Sequence, residues 1–157
     1  MDNLTRIASF SVNHDYITEG IYVSRIDGDV TTYDMRTRVP NNADNDYMSN
    51  LTMHSFEHLF ATYVRNSELG GRVIYFGPMG CQTGFYLLVR NADNLETLNT
   101  VKAVLKMIIA HEGDVPGAKR EECGNYRNLD LESARVEARK YLLALENDKN
   151  NFKYPEA

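Results

Sequence analysis

Apolar and polar positions alternate at two different periods along this chain, and the switches between them mark out its elements. Residues 20–26 (GIYVSRI) and 30–39 (VTTYDMRTRV) are rich in β-branched and aromatic side chains, with Asp27-Gly28-Asp29 between them. That composition predicts two antiparallel strands joined by a hairpin turn. Residues 40–48 (PNNADNDYM) are turn formers and predict a loop. From about Ser49 to Asn66 the period becomes helical. Residues 72–76 (RVIYF) and 83–90 (TGFYLLVR) predict two further strands, on either side of the tight stretch Gly77-Pro78-Met79-Gly80-Cys81-Gln82. Asp93 or Asn94 can cap a second helix, whose Leu95, Leu98, Val101, Leu105 and Ile108 recur at helical spacing. It should stop near Gly113, with Pro116 and Gly117 just beyond. A loop rich in charge and glycine follows, over residues 113–127. A last helix is expected from about Leu131 to Leu145 behind Asp130, and residues 148–157 are expected to fray. Early strands followed by mixed helices and strands predict an α+β fold, an antiparallel β-sheet with helices packed on one face.

Composition narrows the functions more than the fold. The 157 residues show no repeat, low-complexity tract or linker, so residues 1–157 are expected to form a single domain. A chain of this size buries roughly two thirds of its unfolded surface, enough for a core without disulfides. The formal net charge is -5, and the densest basic pair, Lys119-Arg120, is followed at once by Glu121 and Glu122. A nucleic-acid partner is therefore not expected, since that attraction depends on clustered cations. No run approaches the ~18 apolar residues of a bilayer span, and the N-terminal MDNLTRIASF lacks the blocks of a signal peptide. The expectation is a cytoplasmic protein with no membrane partner. In that compartment Cys81 and Cys123 suggest thiol chemistry or metal ligands rather than a disulfide.

The chemistry concentrates in Met53-His54-Ser55-Phe56-Glu57-His58-Leu59. Successive helical residues turn by about 100°, so His54 and His58 share one face, ~6 Å apart along the axis. Two imidazoles can converge on one ion there, and Glu57, three positions after His54, can serve as acid/base beside it. The H-x-x-E-H order is also that of inverzincin peptidases. The plainer alternative is two histidines and a glutamate on a solvated helix face. A third ligand is required, and the candidates are His14, His111, Cys123 and downstream carboxylates. Cys123 against Glu122 separates two chemistries at this stage. Cys81 stands among Gly77, Gly80 and Gly84, where a thiol near a cation can shuttle protons; it can equally be a small buried hydrophobe.

Several stretches taken together resemble one family, S-ribosylhomocysteine lyase (LuxS), the autoinducer-2 synthesis enzymes. They are Ala8-Ser9-Phe10 with Asn13-His14, Tyr33-Asp34-Met35-Arg36, the histidine motif, Gly77-Pro78-Met79-Gly80-Cys81-Gln82-Thr83-Gly84-Phe85-Tyr86, and Glu122-Cys123-Gly124. They occur in the family's order and span nearly the whole chain. The resemblance implies His54, His58 and Cys123 as ligands of one divalent ion per subunit, natively iron(II), which zinc or cobalt can replace. It implies Glu57 and Cys81 as the acid/base pair, and Ser9, His14 and Arg36 as residues lining the substrate pocket. The implied reaction converts S-ribosylhomocysteine to homocysteine and 4,5-dihydroxy-2,3-pentanedione, the autoinducer-2 precursor, in a homodimer with sites at the subunit interface. The resemblance points to quorum sensing or to homocysteine and methionine recycling alone, a choice that belongs to the organism and not to the chain. Two positions depart from the pattern: Tyr75 stands where some members carry an acidic residue, and Asn13 stands where aspartate is common. The alternatives are an inverzincin-type metallopeptidase and a non-catalytic metal-binding module.

Overall fold

The computed structural model describes residues 3–156. A short helix α1 (Ala8–Ser11) leads into strands β1 (Gly20–Asp27) and β2 (Val30–Arg36), then helix α2 (Asn50–Arg65). Strands β3 (Val73–Pro78) and β4 (Gly84–Arg90) follow, then helices α3 (Asn94–Ala110) and α4 (Leu131–Asn147). The four strands form one antiparallel sheet in the order β1-β2-β4-β3, so the expected α+β class is the observed one.

Strand alternation explains why the helices lie where they do. Tyr33 and Met35 on β2, and Phe85, Leu87 and Val89 on β4, are fully buried on one face. The α2 stripe Met53, Phe56, Phe60 and Val64 packs into the same core. Phe60 stacks on Phe76 at 4.4 Å between ring centroids, and Phe56 stacks on Phe85 at 4.8 Å. Each such ring contributes about 1.5–3 kcal/mol from burial. Residues of the alternate register, Thr32, Asp34 and Arg36 on β2 and Tyr86 and Leu88 on β4, occupy the sheet's other face. No long helix lies over that face among the described residues.

Local signals set the helix starts. Ser49, Asp93 and Asp130 each accept a backbone N–H of the first turn, from Thr52, Glu96 and Ser133. Helix α3 ends at Ala110, three residues before the expected Gly113.

The segment after α4 departs from expectation. Within the described residues it does not fray but folds back on β1. The Val23 N–H donates to the Phe152 carbonyl at 2.9 Å, and the Tyr154 ring stacks on Tyr22 with centroids 4.9 Å apart. Two aromatic side chains in an otherwise polar stretch supply this anchorage. Ala157 lies outside the described residues.

Candidate metal centre and acid/base residues

Because the Met53/Phe56/Phe60 stripe is fixed in the core, α2 turns His54 and His58 toward the loop between α3 and α4. That loop is fastened along the helix. His111 at the end of α3 shares a 2.7 Å hydrogen bond with the Tyr63 hydroxyl, the Pro116 carbonyl meets His58 Nδ1 at 2.8 Å, and the Asn128 carbonyl meets His54 Nδ1 at 2.7 Å. Asn128 also donates to the Asn50 side chain at 2.6 Å. At the loop's end the Asp130 N–H donates to Ser55 Oγ at 2.7 Å.

These contacts decide how the imidazoles are presented. A carbonyl can only accept, so each ring carries its proton on Nδ1 and leaves the Nε2 lone pair free. This is the orientation by which a second layer of hydrogen bonds prepares histidines for a metal. One ligand atom from each of His54, His58 and Cys123 lies within 4.8 Å of the others. Cys123 Sγ stands 3.4 Å from His54 Nε2 and receives the Asn125 N–H at 3.4 Å. Two nitrogens and one sulfur make a donor set that suits a divalent first-row metal ion. The donor chemistry therefore fits a divalent metal, and the cysteine, not Glu122, is the residue that joins the histidine pair.

The other proposed third ligands lie elsewhere. The His111 ring is occupied by Tyr63 on one side and by the Asp114 carbonyl at 2.9 Å on the other. His14 bonds the Val12 carbonyl at 2.9 Å. Asn13, one of the two departures, caps that turn by accepting the Asp15 N–H at 3.0 Å. Gly117 was not singled out from the sequence as part of this site. Its φ is +78°, and a Cβ there would fall 2.8 Å from His58 Nδ1. Only glycine lets the loop pass this close to the ligand ring.

Glu57 is half-buried on α2, and among the described residues no hydrogen bond or ion pair engages its carboxylate. Cys81 is a free thiol, exposed in the turn between β3 and β4. It is not a small buried hydrophobe. The turn is tied to the start of α2: Gln82, at φ +66°, donates from Nε2 to the Met48 carbonyl at 2.8 Å, and its own carbonyl accepts the Met48 N–H at 3.2 Å. The segment carrying Cys81 is thus anchored one residue before the cap of the helix that carries the histidines.

Arg36 is buried against Asp34, with Nη2 to Oδ2 at 2.6 Å, and its Nη1 donates to Thr83 Oγ1 at 2.8 Å. Ser9 lines a cleft of about 320 Å³ on the sheet's outer face with Tyr75, Tyr86 and Leu88. The Tyr75 ring lies over Gly77, where any Cβ would run into its hydroxyl. A larger open groove of about 880 Å³, beside α3, is lined by none of the candidate residues.

Comparison with known proteins places this arrangement. Residues 7–152 match the family model described as S-Ribosylhomocysteinase (LuxS). The S-ribosylhomocysteine lyase of Finegoldia magna is 42% identical over 98% of this chain and 100% of its own length. That of Borreliella afzelii is 38% identical over 97% and 100%, and that of Clostridium beijerinckii 39% identical over 97% and 99%. The histidine pair with its cysteine, the Cys81 turn and the sheet behind them are those of a chain that belongs to the S-ribosylhomocysteinase (LuxS) family.

Proposed function

We propose that this chain is an S-ribosylhomocysteine lyase, releasing homocysteine and 4,5-dihydroxy-2,3-pentanedione. The observation that carries the reading is the meeting of His54, His58 and Cys123 within 4.8 Å, in a member of this family. His54, His58 and Cys123 hold the ion, iron(II) with zinc or cobalt as substitutes, one per subunit. When bound, that ion supplies Lewis acidity to the sugar's carbonyl and hydroxyl oxygens.

The chain's own groups then move protons. Glu57, with no competing partner among the described residues, takes and returns a proton at its carboxylate oxygens. Cys81 does the same at Sγ from the neighbouring turn. Passing protons between adjacent carbons and oxygens shifts the carbonyl from C1 to C3. Removal of the C4 proton then expels the C5 thioether sulfur, which leaves as homocysteine once protonated. Ser9, His14 and Arg36 shape the pocket. The enzyme works as a homodimer in the cytoplasm. Supporting that assembly, the sheet face away from the helices carries exposed Ile7, Phe10 and Tyr75 near the Ser9 cleft. A peptidase would need a carboxylate where Cys123 stands.

The test is anaerobic reconstitution with iron(II) or cobalt(II), addition of S-ribosylhomocysteine and measurement of free thiol. Metal-dependent release that collapses in Glu57→Ala and in Cys81→Ala is expected. Full metallation without thiol release from the wild type would reject the lyase and leave a metal-binding module.

A further inference from the structure

An unbroken run of hydrogen bonds joins the exposed Cys81 thiol to Tyr154, and donor chemistry fixes the directions of the bonds that Arg36 makes. The Arg36 guanidinium has donors only. Its Nε reaches Asp34 Oδ1 at 3.1 Å, Nη2 reaches Asp34 Oδ2 at 2.6 Å, and Nη1 reaches Thr83 Oγ1 at 2.8 Å. Thr83 Oγ1 accepts from Arg36 and lies 2.9 Å from Cys81 Sγ; a thiolate can only accept, so Thr83 is the donor to the sulfur once Cys81 has lost its proton. At the other end the Tyr154 hydroxyl donates to Asp34 Oδ2 at 2.7 Å. Asp34 is 1% exposed and Arg36 3%, so these bonds are made away from bulk water, where losing a partner matters most. Burial first, and then the Asp34 carboxylate, hold the Tyr154 phenol far above the ordinary tyrosine range, so it remains a donor at working pH. Burial alone would lower Arg36, but Asp34 outweighs it and keeps the guanidinium charged.

Resting on the reading of Cys81 as an acid/base group, we propose that Tyr154 is a positioning residue for Cys81, acting through Asp34, Arg36 and Thr83. Asp34 Oδ2 is shared between the phenol and the guanidinium. Without the phenol proton the carboxylate draws Arg36 more strongly to itself, and Arg36 holds Thr83 less firmly against the sulfur. A hydrogen bond donated to sulfur is stronger when the sulfur is charged, so the state of Asp34 bears on how readily Cys81 gives up its proton. The other titratable groups facing this run are Tyr86 on β4, Tyr22 on β1, Tyr141 on α4 and Asp148 just beyond α4. A Tyr154→Phe exchange leaves all of them in place. It also keeps the ring that stacks on Tyr22, so the segment stays docked.

The experiment uses the full-length, metal-loaded protein and follows iodoacetamide labelling of Cys81 against pH by residue-resolved mass spectrometry. In Tyr154→Phe the labelling profile moves to higher pH, by about half a unit, and labelling near neutrality slows about threefold. Thiol release from S-ribosylhomocysteine falls by a similar factor in kcat with KM unchanged. A chain ending at Lys153 shows the same displacement. Labelling profiles that superimpose in wild type and Tyr154→Phe would overturn the proposal. A displaced profile in a protein that releases no thiol would uphold the role of Tyr154 while removing the lyase reading.

Discussion

The two halves of the candidate site differ in how far one chain completes them. On the helical side, His54 and His58 are each fixed by a backbone carbonyl, and Cys123 arrives on a loop fastened to α2 from Tyr63 to Asn50. Every orienting group there comes from the same chain. On the outer face of the sheet, Ser9 sits in the four-residue α1 and His14 on a single turn after it, near exposed Ile7 and Phe10, whereas Arg36 and Cys81 are tied into a common hydrogen-bonded run. The loop zipped along α2 gives each histidine ring a backbone partner. The sheet face is covered by a short helix and a terminal segment and leaves Ile7 and Phe10 exposed, and it is the part that a proposed second copy would complete.

The contrast can be broken most severely at the ligands. His58→Ala should remove the bound ion and all metal-dependent thiol release, with circular dichroism unchanged, because His58 lies outside the Phe56/Phe60 core. Retained stoichiometric metal, measured by elemental analysis, would show that the loop alone holds the ion. Next in size, Arg36→Met leaves Asp34 buried without its cation and should cost about 3–5 kcal/mol in urea unfolding, while metal affinity of the folded protein stays the same. An equal loss of metal affinity would mean that the two halves are not separable. Smallest, Gly117→Ala pushes a methyl group toward His58 Nδ1 and should weaken metal binding about tenfold in a competitive chelator titration. Unchanged affinity would show that the loop yields instead of the ring.

What could be read from the residues follows the range of the interaction. Caps at Asp93 and Asp130 and the apolar stripes act within one or two turns, so they were legible, as were the hairpin and the pairing of imidazoles on one helix face. Helix α1, four residues long, is too short to show a period. The Cys123 position came from resemblance, since nothing local announces that a loop far along the chain will reach His54. The partners that orient the two rings are carbonyls of Pro116 and Asn128, and a backbone oxygen carries no side-chain signature. Gly117 did leave a trace, a glycine directly after a proline. Its reason, the edge of His58, exists only once the loop has closed on α2. The anchored C-terminal segment was missed because its two aromatics, Phe152 and Tyr154, are separated by polar residues and find their neighbours on β1, at the opposite end of the sequence.

The return of the last residues to β1 has a practical side for anyone who must label or immobilise this protein. Ser9 near one terminus and Tyr154 near the other both belong to the candidate working surface, so an affinity tag or fluorophore fused at either end is not inert ballast. The hairpin tip at Gly28 is the better attachment point. It is exposed and nothing lies within 4 Å of where a side chain would begin; because its φ of +61° suits glycine, the attachment is an insertion beside Gly28 that leaves the glycine in place. It also sits at the end of the β1–β2 ladder opposite Arg36, with Asp27 paired to Val30 there and Gly20 paired to Arg36 at the other end. Such exposed tips are where insertions are best tolerated.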